Sequence, residues 1–226
     1  MTDTLLSPRT EEMRLHALHV AAVLFLKEGY SAATLRKIAA RAEINIGSLM
    51  HLFPNKESIL CDLVTYVLEG QFKAAISFTK GKTEDKILLW AAETALQLYM
   101  AESSVHIREL YVAAYSQPKT ADIIYHTIAQ KMEYYFKEQC PNLEAKDFYE
   151  IEIATGSIMR GYISVPCDMY FTIDKKVKRF IETAFRVYGV SDTQIQSAVA
   201  FVSEFDFEKI AQQTIDNMLA YLENKV

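Results

Sequence analysis

Catalysis leaves recognisable combinations in a sequence: a nucleophile beside a base, two carboxylates facing one point, or several metal ligands on one structural element. In this chain the nearest approaches are Glu102 with His106, and Glu150 with Glu152. Neither is completed. A carboxylate-bridged di-metal site needs Glu-x-x-His on two helices, and the sequence contains no Glu-x-x-His and no Gly-rich phosphate loop. His16 and His19 stand three apart without an acidic or cysteine partner, too few ligands to hold a metal. Cys61, Cys140 and Cys167 are widely separated and share no C-x-x-C spacing, so neither a zinc site nor a disulfide framework is expected. The sequence therefore offers no catalytic residue, no metal site and no cofactor, and the chemistry left to it is recognition.

Between Ala33 and Lys56 the bases Arg36, Lys37, Arg41 and Lys56 face the single acid Glu43, in a chain whose formal net charge is −5. A small positive face on an acidic body orients a protein toward phosphates, with an affinity that falls as salt rises. The same stretch reads as two short helices with a tight turn between them. Thr34 is an N-cap, and Leu35, Ile38, Ala39 and Ala42 follow at the spacing of one apolar face. Asn45 caps a second helix over residues 46–51, with Leu49 and Phe53 four apart, and Pro54 stops it. This is a helix-turn-helix with its motif at about residues 33–52. In that arrangement the start of the second helix enters the major groove of double-stranded DNA. Asn45 can pair with adenine, Ser48 can bond several bases, Ile46 can touch a thymine methyl, and Gly47 lets the backbone approach. Thr34, Arg36, His51 and Lys56 are assigned to phosphates, which set register but carry no sequence information.

The segment resembles the DNA-binding domain of the TetR family of bacterial transcriptional repressors. The resemblance rests on Ala21-Ala22, Leu24-Phe25, Gly29-Tyr30, Thr34, Ile38-Ala39, Ala42, Gly47, Leu49, Phe53 and Lys56, all in register. It covers about the first quarter of the chain. The sequence departs from the family at Glu43, where Gly is usual, and at Asn45, where Ser or Thr is usual. It departs again at Met50, where a tyrosine usually touches a DNA phosphate, and at Leu52. The resemblance implies a homodimer that occupies a palindromic operator and releases it when a small molecule enters a second, helical domain. The alternative is a helical sensor or interaction protein whose degenerate helix-turn-helix no longer reads DNA, motivated by Met50 and Leu52.

Composition sets the elements that must position these residues. Half of the 226 residues are hydrophobic and only 7 are Gly and 5 Pro, which predicts an all-α fold of long helices. Leu15, Leu18, Ala22 and Phe25 mark a helix over residues 10–28 that packs across the two short ones. A long helix over residues 56–78, with a bend expected at Gly70, follows. Further helices are predicted at 84–100, 105–115, 120–138, 145–165, 175–188, 193–204 and 207–223. The chain then divides into a flexible arm at 1–9, a helix-turn-helix DNA-binding domain at 10–55, and a helical effector-binding and dimerisation domain at 56–226.

The second domain is rich in Tyr and Met, whose apolar bodies carry polar tips or adaptable shape and suit a ligand cavity. Its candidate cavity residues are Tyr99, His106, Arg108, Tyr111, Tyr115, Tyr125, Met159 and Tyr162, with His106, Arg108 and Arg160 as orienting groups. The effector is then a partly apolar or aromatic small molecule. For dimerisation the candidates are the small-residue helix around 151–162 and the last helix, where Phe207, Ile210, Ala211, Thr214, Met218 and Leu222 form a stripe. No apolar run is long enough to span a bilayer and the N-terminus lacks a signal-peptide layout, so a cytoplasmic location without membrane contact is expected.

Overall fold

The computed structural model describes residues 7–223, which form eleven helices and no strand. In chain order they are α1 Pro8–Glu28, α2 Leu35–Arg41, α3 Ile46–Leu52, α4 Lys56–Thr79, α5 Lys86–Glu102 and α6 Val105–Ser116. Then come α7 Pro118–Phe136, α8 Ala145–Ser164, α9 Ile173–Val187, α10 Asp192–Val202 and α11 Phe207–Glu223. The all-α expectation is met. Residues 1–6 of the expected arm lie outside the described residues. The rest of that arm is helix or cap: Ser7 accepts the Thr10 N–H at 3.2 Å, and Pro8 follows at the first helical position, where a missing N–H costs nothing.

Three helices build the N-terminal core. Phe25 of α1, Ile38 of α2, Leu49 of α3 and Phe53 after it are all buried, because neither seven-residue helix can bury its face alone. Thr34 caps α2 by accepting the Lys37 N–H at 3.2 Å, and Asn45 caps α3 by accepting the Ser48 N–H at 2.7 Å. The turn between them needs a left-handed residue, and Glu43 supplies it with φ +55°. This is the position at which the sequence departs from the TetR pattern of Gly, so a side chain sits where the backbone geometry favours none.

The rest of the chain wraps around α5. Every residue from Trp90 to Leu98 is buried, the polar Glu93, Thr94 and Gln97 included, so α5 is enclosed on all sides. Helices α4, α9, α10 and α11 pack against it, with α6, α7 and α8 closing the remaining side. Two expectations are corrected. Gly70 does not interrupt α4, which runs unbroken, and a Cβ at Gly70 would collide with the Met218 side chain, so the glycine allows α11 to approach α4 closely. The α11 stripe is not an outward face either. Phe207, Ala211, Thr214 and Leu222 are buried against α1, α4 and α5, and close the chain's own core.

Relieving the left-handed strain at Glu43 outweighs the extra chain entropy of glycine. Glu43→Gly is expected to raise unfolding free energy by about 0.5–1 kcal/mol in urea titration, and no gain would show that the turn carries no strain.

Candidate nucleic-acid interface and inner cavity

The start of α3 stands open to solvent. Asn45, Gly47, Met50 and His51 are exposed, Ile46 is 40% exposed and Ser48 half-buried, while Leu49 on the opposite face seals the core. Asn45 uses Oδ1 as its cap, so one of the lone pairs that a bidentate contact with adenine would employ is already engaged. Thr34 likewise accepts the Lys37 N–H and keeps its own hydroxyl hydrogen. Arg36 and Arg41 are exposed on α2. Lys37 is drawn away from that face, since its Nζ pairs with Glu28 at 2.7 Å and donates to the Ala32 carbonyl at 3.1 Å. Arg41, which the motif reading did not single out, therefore carries more of the positive face than Lys37.

Lys56 is the correction within this group. Its Nζ donates to the Tyr30 and Ala33 carbonyls at 2.7 and 3.1 Å and lies 4.2 Å from the Tyr30 ring centroid. Burial pushes its pKa down. The ammonium ties the start of α4 to the loop between α1 and α2 rather than facing outward. From the other side α6 grips the same loop: Glu109 accepts the Ser31 N–H at 2.8 Å, and His106 Nδ1 lies 3.0 Å from the Leu26 carbonyl. Burial would raise the Glu109 carboxyl, but the bonds from Ser31 and the nearby His106 hold it below the ordinary carboxylate range.

Behind this junction lies a cavity of about 100 Å³ with almost wholly apolar walls. Ala22 and Leu26 of α1 form part of it, together with residues of α4, α5, α6, α7 and α11. Of the eight residues expected to line a cavity, Tyr111 and Tyr115 do so here. They share one face of α6 with Ile107 and Ala114, whereas His106 and Arg108 sit about 100° to either side and turn away. His106 goes to the α1 carbonyl and Arg108 to Glu102 at 2.5 Å, where Lys176 and the Cys167 N–H also converge. Tyr99 bonds Asp174 at 2.7 Å and stacks on Phe207, Tyr162 packs against Phe171 and Phe180, and Tyr125 covers Gly156. Those five residues belong to other contacts. The sequence reading missed Gln71, which is fully buried and lines the cavity. Its Nε2 donates to Tyr111 Oη at 2.6 Å, and its Oε1 has no partner among the described residues. The available signal was an amide within the apolar repeat of α4.

A second, smaller chamber of about 20 Å³ lies between α5, α6, α7, α8 and α9. Met159 lines it, as do Trp90, Gln97, Tyr115, Glu152, Thr155 and Tyr188. Gln97 donates to Tyr115 Oη at 2.8 Å, and these two residues line both spaces. Glu152 accepts from Thr155 at 2.8 Å and from Tyr188 at 3.5 Å. Nearby, Glu93 is 1% exposed, and neither of its carboxylate oxygens nor the Trp90 Nε1 has a hydrogen-bond partner among the described residues. Burial pushes both carboxyls up to about 8, and for Glu152 the Glu93 charge adds to the rise.

Residues 17–63 match the sequence profile of the family described as bacterial regulatory proteins, tetR family. A search of curated protein sequences finds no match. Among solved structures, the fold is similar to that of RolR in complex with resorcinol, with TM-score 0.65 and 15% identity over 87% of this chain and 96% of that one. It is also similar to a gamma-butyrolactone receptor described as ArpA-like, with TM-score 0.50 and 17% identity over 91% of this chain and 99% of that one. At such identities the likeness is one of fold.

The buried carboxyls make stability depend on pH. Each has a folded pKa of about 8 against an ordinary 4.5. The stability they contribute is therefore complete below pH 4.5 and is lost as pH rises through about 8, because unfolding lets them ionise. Glu93→Gln is expected to flatten the decline in Tm across that window. Thermal melts at a series of pH values check it, and an unchanged slope would show that Glu93 does not titrate on unfolding.

Proposed function

We propose that this chain, a member of the TetR family of bacterial regulatory proteins by its residues 17–63, is a homodimeric transcriptional regulator that leaves a palindromic operator when a small molecule enters the inner cavity. The observation that carries the reading is the shared wall: Ala22 and Leu26 of α1 line the same cavity as α4, α6 and α11. Helix α1 also closes the helix-turn-helix core, so its position is set jointly by the DNA-reading unit and by whatever fills the cavity. A cavity of about 100 Å³ is smaller than the roughly 150 Å³ engineered cavity that admits benzene. A larger effector must displace α1 or α4 from α6. A ligand shifts the equilibrium only by binding the displaced state better. In the dimer that shift changes the separation of the two α3 helices from the roughly 34 Å that one duplex turn requires.

Asn45, Ile46, Gly47 and Ser48 are the groups we assign to base edges, and Thr34, Arg36 and His51 to phosphates, with Arg41 joining them. The effector is partly apolar or aromatic, because the cavity walls are, with the Gln71 amide as its orienting group. RolR was solved with resorcinol, a compound of that kind. For the dimer we assign the outward side of α8, where Ile153 is 41% exposed beside Ala154, Ser157 and Gly161. No described helix is long and apolar enough to cross a membrane, and we place the protein in the cytoplasm with its DNA. No residue is assigned a catalytic role.

A gel shift with DNA flanking the protein's own gene tests the reading. A sequence-specific complex that weakens steeply with salt is expected, and Arg36→Ala is expected to weaken it on all sequences while reducing the salt slope by about one. Absence of any specific complex without ligand would leave the degenerate helix-turn-helix as the better description.

A further inference from the structure

We propose that the chamber of about 20 Å³ beside Glu152 binds a single hydroxyl group, carried by a neutral compound whose one-ring body occupies the larger cavity. The proposal rests on reading that cavity as the effector site and names the chemistry of the effector. Size is the first argument. A space of about 20 Å³ admits a group the size of one water and nothing larger. Complementarity is the second. Trp90 lines the chamber, is 94% buried (6% exposed), and its Nε1–H has no acceptor among the described residues. On the same lining stands the Glu152 carboxyl, with the Thr155 and Tyr188 hydroxyls around it. A guest that accepts from the indole N–H and donates to a carboxyl or hydroxyl oxygen meets this lining, and a hydroxyl does both. An ammonium has no lone pair to offer Trp90. A bare carbonyl or ether has no hydrogen to offer the Thr155 and Tyr188 hydroxyl oxygens.

Charge points the same way. The only cation acting on Glu93 among the described residues is Lys131, which lies over the Phe72 ring at 4.2 Å, and burial keeps both carboxyls protonated at neutral pH. A neutral polar guest suits neutral walls. Access is also provided for. Gln97 and Tyr115 line both spaces, so a molecule for which the helices have made room in the larger cavity meets their 2.8 Å hydrogen bond at the border of the smaller one.

Trp90 is the single tryptophan of the chain, so its fluorescence reports on the chamber directly. The experiment titrates the full-length protein, without DNA, with phenylpropanol, propylbenzene and phenylpropylamine, by calorimetry and Trp90 emission. Phenylpropanol is expected to bind about three- to ten-fold more tightly than propylbenzene, the increment of one net hydrogen bond, and to shift the emission to the red. Trp90→Phe is expected to abolish that preference, read by calorimetry, while propylbenzene affinity is retained; Glu152→Gln, whose amide oxygen still accepts, is expected to keep it. If Glu152→Gln does not fold, Trp90→Phe carries the comparison. Equal binding of alcohol and hydrocarbon with unchanged emission would overturn the proposal, leaving a chamber that holds only water, and tighter binding of the amine would overturn it in favour of a charged guest. Should none of the three bind, the reading of the larger cavity as a ligand site fails and this proposal with it. Binding of propylbenzene without a gain from the hydroxyl sinks the chamber alone.

Discussion

A helix cannot satisfy its own last carbonyls, and the connection that follows it has no partners of its own either. Where α1 ends, those groups are met from outside. His106 reaches the Leu26 carbonyl, Lys56 takes the carbonyls of Tyr30 and Ala33, and Glu109 accepts the Ser31 N–H. Two of these residues sit on α6 and one begins α4. The backbone requirement of a single turn thus fixes the three-helix unit against the helical body. Gly29 belongs to the same constraint: with φ +88° and the Glu109 carboxylate packed against it, there is no room for a side chain. Side-chain hydrogen bonds to backbone thus link α4 and α6 to the loop that precedes α2.

The second constraint is the composition of α5. A helix enclosed on all sides should be apolar throughout, yet this one carries Glu93, Thr94 and Gln97 at its centre. Buried polar groups without partners are costly, and ordinary cores avoid them. Of the three, Gln97 lines both the chamber and the main cavity and donates to Tyr115, which does the same. The region of the body least favourable to folding is the region best furnished to hold something else. The Glu102 cluster provides the contrast. There Arg108, Lys176 and the Cys167 N–H satisfy the carboxylate, and the result is a clasp joining α5, α6 and α9.

What the sequence determined by itself was local. The caps Thr34 and Asn45, the stop at Pro54 and the buried set Phe25, Ile38, Leu49 and Phe53 follow from spacing and backbone chemistry within a few residues. Hence the helix-turn-helix and nearly every helix boundary were legible in advance. Tertiary structure decided which way each side chain is spent, since that depends on neighbours far along the chain. Lys56 turned inward because the open carbonyls of the α1 turn lie beside it. His106 and Arg108 left the cavity because α6 presents residues 107, 111 and 115 to it, and that rotation is set by α1, α5 and α8. The α11 stripe looked equally fit for a partner chain or for its own core, and only its docking on α1, α4 and α5 chose between them. Periodicity shows that a helix has an apolar side; it carries no information about what that side meets.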